Sequence, residues 1–537
     1  MIERKYEMSI AGGQTIAAAA TGMTEAGIGI IRISGEEAVA IGNRLFADGK
    51  MRRDRLKSFH AGTIHFGYIL DPFNDDEVVD EVMVSVMLSP HSYTTEDTVE
   101  INSHGGMFVM NRILQIVLAS GARLAEPGEF TKRAFLGGRI DLARAEAVMD
   151  LISSQNEFAR KTSVAQLGGA VSEKVRNMRH EILYEIARIE SALDDPENYS
   201  LDGYGDELFA KTEKIEKEID TLLRNTEDGM ILKDGIRTVI VGKPNAGKSS
   251  LLNLLTGTDR AIVTDVAGTT RDTLQESVRI GDVQLNLIDT AGIRETSDKV
   301  EQIGIRKAME AVDQADLILF LLDLSDRFSD DDRAIAEALR GYLGNDSSED
   351  GEKLSPSASK KCIVLLNKAD AAVSGDIAVD SENISKNNSS ADTVVPDESR
   401  NDNSINDMTQ EQTAVADQMA SAVREVLKAG EELPVIVCSM ITGQGLPELR
   451  EEISRMFRVG ELIASGEVMV TSMRHKEALL AAKKSLLLVR DSINSGMSED
   501  FYSIDLMSAY SELGKIIGEQ VEDDLVEEIF ARFCLGK

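Results

Sequence analysis

The apolar run Val239-Ile240-Val241 breaks into Gly242-Lys243-Pro244-Asn245-Ala246-Gly247-Lys248-Ser249-Ser250. This junction limits the possible folds more than any other stretch. A short buried strand enters a tight turn, and a helix starts at about Lys248. The N–H groups of the turn and of the helix's first turn then converge on one point, which makes a phosphate cradle. In such a loop Lys248 reaches the β- and γ-phosphates and the Ser249 hydroxyl ligates Mg2+. A glycine-rich turn can imitate the pattern, so the sequence that follows decides.

Downstream comes Thr264-Asp265-Val266-Ala267-Gly268-Thr269-Thr270-Arg271-Asp272. Thr270 in the loop after the first helix can close over Mg2+ and the γ-phosphate and release when that phosphate leaves. Leu285-Asn286-Leu287-Ile288 alternates like a strand and ends in Asp289-Thr290-Ala291-Gly292. That places a carboxylate toward the metal and a glycine N–H toward the γ-phosphate. The run from Leu317 to Leu322 reads as a central strand without a motif. Another, Ile363-Val364-Leu365-Leu366, ends in Asn367-Lys368-Ala369-Asp370. Asp370 can accept both the N1–H and the exocyclic amine of guanine, a donor pair that adenine lacks. Val435-Ile436-Val437-Cys438 then ends in Ser439, with Thr442-Gly443-Gln444-Gly445 behind it to cover a base.

Five such elements in order, each at a strand end, predict a doubly wound parallel sheet with its ligand at the strands' carboxyl ends. Guanine selection favours a GTPase over an ATPase. One position departs from the Ras-like pattern: Ile293 stands where a Gln would orient the attacking water. Hydrolysis is then very slow, or the water is held from elsewhere. The stretch Arg294–Glu301 offers carboxylates for that task.

Length and charge bound the remainder. A chain of 537 residues accommodates three or four domains. No apolar run approaches the roughly 20 residues of a membrane span, and Gln14, Thr15 and two glycines interrupt the apolar stretch after Ile10, which argues against a signal peptide. The three cysteines, Cys362, Cys438 and Cys534, lack metal-ligand spacing and fit a reducing cytoplasm. A net charge of −34 argues against a broad phosphate-binding face, so any RNA contact is local or supplied by a partner. Residues 371–411, and a shorter stretch at 344–360, are too polar to offset their ordering entropy and read as disordered insertions.

Helical periodicity marks 141–230 (Leu142, Ala145, Met149, Ile152, then Ile215, Ile219, Leu222) and 474–537 (Val521, Leu525, Ile529, Phe533). The economical division is an α+β domain over 1–137, a helical domain in two parts at 138–233 and 458–537, and a nucleotide domain inserted at 234–457. Strand-like segments at 29–33, 81–87 and 98–101, with a helix near 106–120, support the first of these.

Four further stretches carry a resemblance. They are Gly27–Gly35; Tyr93–Glu100 with His104-Gly105-Gly106; Pro127–Leu136 followed by Asp141–Ala147; and the terminal Phe533-Cys534-Leu535-Gly536-Lys537. With the nucleotide cassette, the chain resembles the MnmE (TrmE) family of tRNA-modification GTPases over nearly its whole length. The resemblance implies a multidomain α/β protein: an N-terminal α+β folate-binding domain, a discontinuous all-α domain, and an inserted Ras-like P-loop domain with a parallel sheet. It also implies a homodimer that joins an FAD-carrying MnmG-like partner in a heterotetramer to modify carbon 5 of the tRNA wobble uridine. The one-carbon donor would be a 5-formyl or 5,10-methylene tetrahydrofolate, and the FAD belongs to the partner alone.

By position, folate contacts fall on Arg32, Glu100, Arg139 and Lys537. A carboxylate suits the pterin's amidine-like edge, and the cations suit the glutamate tail. K+ ligands fall on Asn245, Thr264, Val266 and Thr269, with Glu301 orienting the water. GTP and GDP contacts take in Asn245 to Ser250, Thr264 to Thr270, Asp289 to Gly292, Asn367, Lys368, Asp370 and Ser439. Mg2+ goes to Ser249 and Thr270, and Lys248, Thr270 and Glu301 form the catalytic set. The alternative is a regulatory or ribosome-assembly GTPase without one-carbon chemistry, which has no reason to carry the Glu100 and Lys537 constellation.

Overall fold

Alternating burial along the strands Gly29–Ser34, the second half of Glu77–Met87 and Thr98–Ser103 sets the inner face of the first sheet, while the short strands Ile16–Ala19 and Phe46–Asp48 are buried throughout. The computed structural model describes residues 14–258, 276–281, 283–288, 309–343, 360–371, 410–464, 468–519, 523–531, 533 and 536. Strands β1 (Ile16–Ala19), β2 (Gly29–Ser34), β3 (Phe46–Asp48), β4 (Thr63–Asp71), β5 (Glu77–Met87), β6 (Thr98–Ser103) and β7 (Arg123–Leu124) pair in the order β3-β4-β5-β6-β2-β1-β7. All neighbours are antiparallel except β1 and β7. Ile31 and Ile33 of β2 point to one face, into a core with Val84, Val99 and Ile101. Helices α1 (Ala38–Leu45) and α2 (Met107–Ala119) close that core through Ile41, Ile113 and Ile116. Each such side chain contributes about 1.5–3 kcal/mol when removed from water. Arg32 lies on the opposite face, where the antiparallel register sets it directly across from Glu100.

The chain then turns helical through α3 (Glu129–Leu136), α4 (Leu142–Ser153), α5 (Ala170–Asp194) and α6 (Tyr204–Leu223). Asp141 caps α4 by accepting the Arg144 N–H. It also takes a 2.9 Å bond from Ser172 and a 2.6 Å bond from Arg176 of α5. Val171, Val175, Met178, Ile182, Ile186 and Ile189 recur every three or four residues along α5 and form its buried stripe.

A second sheet follows, from β8 (Ile236–Val241), β9 (Glu276–Ile280), β10 (Val283–Leu287), β11 (Leu317–Asp323), β12 (Lys361–Asn367) and β13 (Val435–Val437), in the order β13-β12-β11-β8-β10-β9. All its pairs are parallel apart from β9 with β10. Every residue of β11 is buried, as a strand covered on both faces requires. Helices α7 (Lys248–Thr258), α8 (Asp330–Arg340) and α9 (Gln410–Leu427) connect its strands. After it come α10 (Met473–Asn494), α11 (Glu499–Ile517) and α12 (Asp523–Ala531). Leu479, Leu486, Leu506 and Leu513 of α10 and α11 enter the core that Ile182, Ile215 and Ile219 began.

Two compact units result, one from Met1–Ser154, Arg160–Thr226 and Val468–Lys537, the other from Gln155–Ala159 and Glu227–Glu467. No helix of the described residues is long and apolar enough to cross a membrane.

Three details correct the sequence reading. Ile152 is 46% exposed although it belongs to the predicted stripe. Leu525 is 37% exposed, whereas Val526, Phe530 and Phe533 are buried. A spacing of four drifts around a helix of 3.6 residues per turn, so the apolar face follows 526, 530 and 533. The insertion read as 371–411 overlaps α9, which starts at Gln410; polar residues suit a helix's first turn as well as a loop. Residues 372–409 of that insertion, and 344–359 of the shorter one, lie outside the described residues.

Candidate functional site

Gly242 follows directly on β8, and α7 begins at Lys248, as a phosphate cradle requires. The intervening turn holds Asn245 at φ 63°, exposed, and Ala246 buried beneath it. Lys248 folds back so that its Nζ donates to the carbonyls of Gly242 and Lys243, both at 2.7 Å. Burial lowers the pKa of this ammonium. Gly247 is required here. Its φ is +104°, and an added Cβ would sit 2.1 Å from the Asn367 amide nitrogen.

That amide belongs to the predicted base loop. Asn367 is 2% exposed; its Nδ2 donates to the Ala246 carbonyl at 2.8 Å and its Oδ1 accepts the Met440 N–H at 3.1 Å. One side chain therefore joins the phosphate loop, the base loop and the loop after β13. Asp370 is oriented by the buried Ser439 hydroxyl, which donates to its Oδ1 at 2.5 Å and accepts the N–H groups of Ile441 and Thr442. A carboxylate oxygen has more than one lone pair, so this bond fixes the carboxylate's rotation and leaves acceptor capacity for a base. Lys368, at φ 68°, pairs with Asp323 at 2.5 Å.

The structure thus brings Asn245 to Ser250 together with Asn367, Lys368, Asp370 and Ser439. Thr264 to Asp272, Asp289 to Ile293 and Glu301 lie outside the described residues. Cys362 and Cys438 are buried in this unit, and burial pushes both thiols up to about 12, so neither is a thiolate at neutral pH. Among the described residues no group of His, Cys, Asp and Glu is arranged to hold a metal ion by itself.

In the other unit, Arg32 Nε donates to Glu100 Oε1 at 2.7 Å, and the same guanidinium donates to the Gly536 carbonyl at 3.3 Å. The Arg32 guanidinium also lies 5.5 Å from the ring centres of Tyr93 and Phe130, and that of Arg139 lies 4.5 Å from Tyr93. Arg32 and Arg139 therefore both lie against the Tyr93 ring, and Arg32 carries Glu100 with it. Lys537 lies outside the described residues, but its neighbour Gly536 is docked: at φ +92° an added Cβ would meet the Ala19 carbonyl at 2.1 Å.

Sequence reasoning missed how this site is held. Gly128, at φ +71°, lets α12 approach so closely that a Cβ would sit 2.5 Å from the Phe530 carbonyl. The Pro127–Leu136 signature and the terminal one are therefore packed on each other. Glu129 pairs with both Arg123 and Arg133. Burial opposes its ionisation, yet Arg123, the Glu126 N–H and Arg133 together hold its carboxyl below the usual range. Arg133 also spans both oxygens of Glu96 at 3.1 and 2.9 Å. The conspicuous charges of this motif are an internal lattice that orients α3. Only the motif's charge alternation hinted at it.

Comparison with known proteins places these features. The family model described as GTP-binding protein TrmE N-terminus matches residues 15–139, and that described as MnmE helical domain matches 142–534, a span that encloses the nucleotide unit. The tRNA modification GTPase MnmE of Lachnoclostridium phytofermentans is 45% identical over 523 residues, covering 97% of this chain and 99% of that one. That of Lactobacillus delbrueckii subsp. bulgaricus is 42% identical over 537 residues, covering 100% of each chain. With both signatures, the inserted parallel sheet and full-length similarity in agreement, the chain belongs to the MnmE family of tRNA modification GTPases.

Proposed function

We propose that this GTPase is activated by K+ and, with an FAD-bearing MnmG-like partner, uses a folate-derived one-carbon unit to modify carbon 5 of the tRNA wobble uridine in the cytoplasm. The observation that carries the reading is the Arg32–Glu100 pair beside Tyr93 and Arg139, with the terminal Gly536 seated on it. A flat heterocycle stacks on an aromatic ring, a carboxylate accepts from its N–H edge, and guanidinium groups take the carboxylates of a glutamate tail. The folate supplies the one-carbon unit. Arg32 holds the Glu100 carboxylate in place through their 2.7 Å pair, and Arg139 is exposed and open to an anionic tail, to which Lys537 would add a second cation. A ribosome-assembly switch has no use for these residues, and the family membership favours modification.

In the nucleotide unit, Ser249 and Thr270 hold Mg2+, and K+ takes the Asn245 side chain with oxygens of Thr264, Val266 and Thr269. The exposed amide of Asn245 at the turn suits a hard cation. Lys248 neutralises the β- and γ-phosphates, Glu301 orients the water in place of the Gln that Ile293 replaces, and K+ adds the positive charge an arginine finger provides elsewhere. Two nucleotide domains pair in the GTP state. The domains run 1–137, 138–233 with 458–537, and 234–457.

Calorimetry of the full chain with 5-formyltetrahydrofolate tests the first site: binding is expected, Glu100→Gln weakens it, and no binding by the dimer refutes the folate assignment. GTP turnover in KCl against NaCl at equal ionic strength tests the second. A strong KCl preference that Asn245→Ala erases is expected, and equal rates in both salts refute cation activation.

A further inference from the structure

The segment after β11 matches no sequence motif, yet it grips both nucleotide loops. On one side stands Lys243, second residue of the phosphate loop. Its Nζ lies 2.8 Å from Asp326 Oδ2 and 3.1 Å from Asp332 Oδ2. Asp332 is 2% exposed, and its Oδ2 also accepts the Ser329 N–H and hydroxyl in the capping box of α8. Its Oδ1 has no hydrogen-bond partner among the described residues. A carboxylate this deep is costly without a facing cation, and Lys243 provides one. Burial disfavours the charged amine, but the bonds to Asp326 and Asp332 prevail and raise its pKa. The Lys243 carbonyl in turn receives Lys248 Nζ. A path of contacts therefore runs from Asp332 through Lys243 to the lysine that meets the phosphates.

On the other side stands Asp323, last residue of β11. Its Oδ2 accepts from Lys368 of the base loop at 2.5 Å, and its Oδ1 is fixed by the Ser325 N–H and hydroxyl at 3.0 and 2.6 Å. The next residue, Leu324, donates its N–H to the Asn367 carbonyl at 2.8 Å.

We propose that the 323–332 segment is a positioning element of the nucleotide site, in which Asp332 and Asp326 set the phosphate loop through Lys243 and Asp323 sets the base loop through Lys368. None of these carboxylates is a catalytic residue; they act through the two lysines. The inference rests on the guanine-nucleotide site proposed above.

Titration of the full chain with a fluorescent GDP and a fluorescent inosine diphosphate tests it. Lys243→Gln is expected to raise both Kd values about tenfold, the weight of one charge-assisted bond, with the GDP preference unchanged. Lys243→Arg restores most of the affinity. Asp323→Asn is expected to reduce the GDP preference about threefold, because it frees the base loop. A merely structural role moves neither number: lowered melting temperatures with wild-type Kd values and base preference overturn the proposal. Asp370→Asn is the control for the site itself. If that variant binds GDP as the wild type does, the nucleotide-site reading falls, and the positioning role with it.

Discussion

Replacing Glu146 by Gln removes the carboxylate that organises the buried junction of α4, α10 and α11. Glu146 Oε1 accepts from Arg474 Nε at 2.9 Å, and its Oε2 accepts from Arg474 at 3.0 Å and lies 2.9 Å from His475 Nε2. His475 is 1% exposed and its Nδ1 has no hydrogen-bond partner among the described residues, so the imidazole is held at Nε2, which also lies 2.8 Å from Arg474. Arg474 also donates to the carbonyls of Lys515 and Ile516 at the end of α11, where a cation suits the helix dipole. Burial works against ionisation of Glu146, but His475 and Arg474 overcome it and lower the carboxyl from 4.5 to about 2. That lowering corresponds to about 3 kcal/mol of folding stability. Since 19% of the side chain stays exposed, the figure belongs at the low end for a broken buried pair.

The sign follows from the direction of the shift. The contribution is complete above the unfolded value near 4.5, shrinks as pH falls below it, and vanishes near pH 2. Hydrogen exchange read by mass spectrometry reports α10 and α11 directly and does not require the two compact units to unfold together. At pH 7 Glu146→Gln should speed exchange of the slow amides there by about 100-fold, the equivalent of that loss. Glu146→Asp, which keeps the charge at a shorter reach, should fall between. Unchanged protection in the Gln variant at pH 7 would refute the reasoning.

Other substitutions probe the two sites. Gly247→Ala places a Cβ against Asn367 Nδ2 and should weaken fluorescent GDP binding at least tenfold, as strain and the lost Asn367–Ala246 bond together cost more than about 1.4 kcal/mol. Gly536→Ala should undock the tail from the Ala19 carbonyl and weaken 5-formyltetrahydrofolate binding in calorimetry while leaving GDP affinity unchanged. Glu129→Gln should destabilise the N-terminal sheet and α3 by about 2 kcal/mol, less than a fully buried pair because Arg123 is 38% exposed, as read by hydrogen exchange of α3.

The nucleotide sheet was legible because its strands advertise themselves. The apolar runs Val239–Val241 of β8 and Ile363–Leu366 of β12 lead into motif residues, and β11 between them is a buried run without one, as parallel strands covered on both faces are. β9 was passed over: Glu276, Ser277 and Arg279 give an edge strand whose polar positions look like loop. β4 escaped for a related reason, since its exposed Ile64 and Phe66 put apolar residues on the side where alternation predicts polar ones. Helix existence was readable from period, but the buried face of α12 was not, because four-residue spacing and true helical period part company within three steps.

The sites divide along a different line. Lys248, Asn367 and Asp370 belong to motifs whose spacing is local, so the sequence displays them. Lys243 and Asp332 are 89 residues apart, and Arg32 and Glu100 are 68 apart. Whether either pair meets is decided by strand register and by the order of strands in a sheet, which no local pattern encodes. Arg32 faces Glu100 only because β2 and β6 pair antiparallel with Ile31 against Ile101; a slip of β2 by one residue would send Arg32 into the core beside Ile113 and leave Glu100 on the other face without it. The apolar pattern that buries Ile31 and Ile33 therefore also fixes the charge pair on the other face. The same forces that fold the sheet assemble the candidate site, and its chemistry becomes visible only once the register is known.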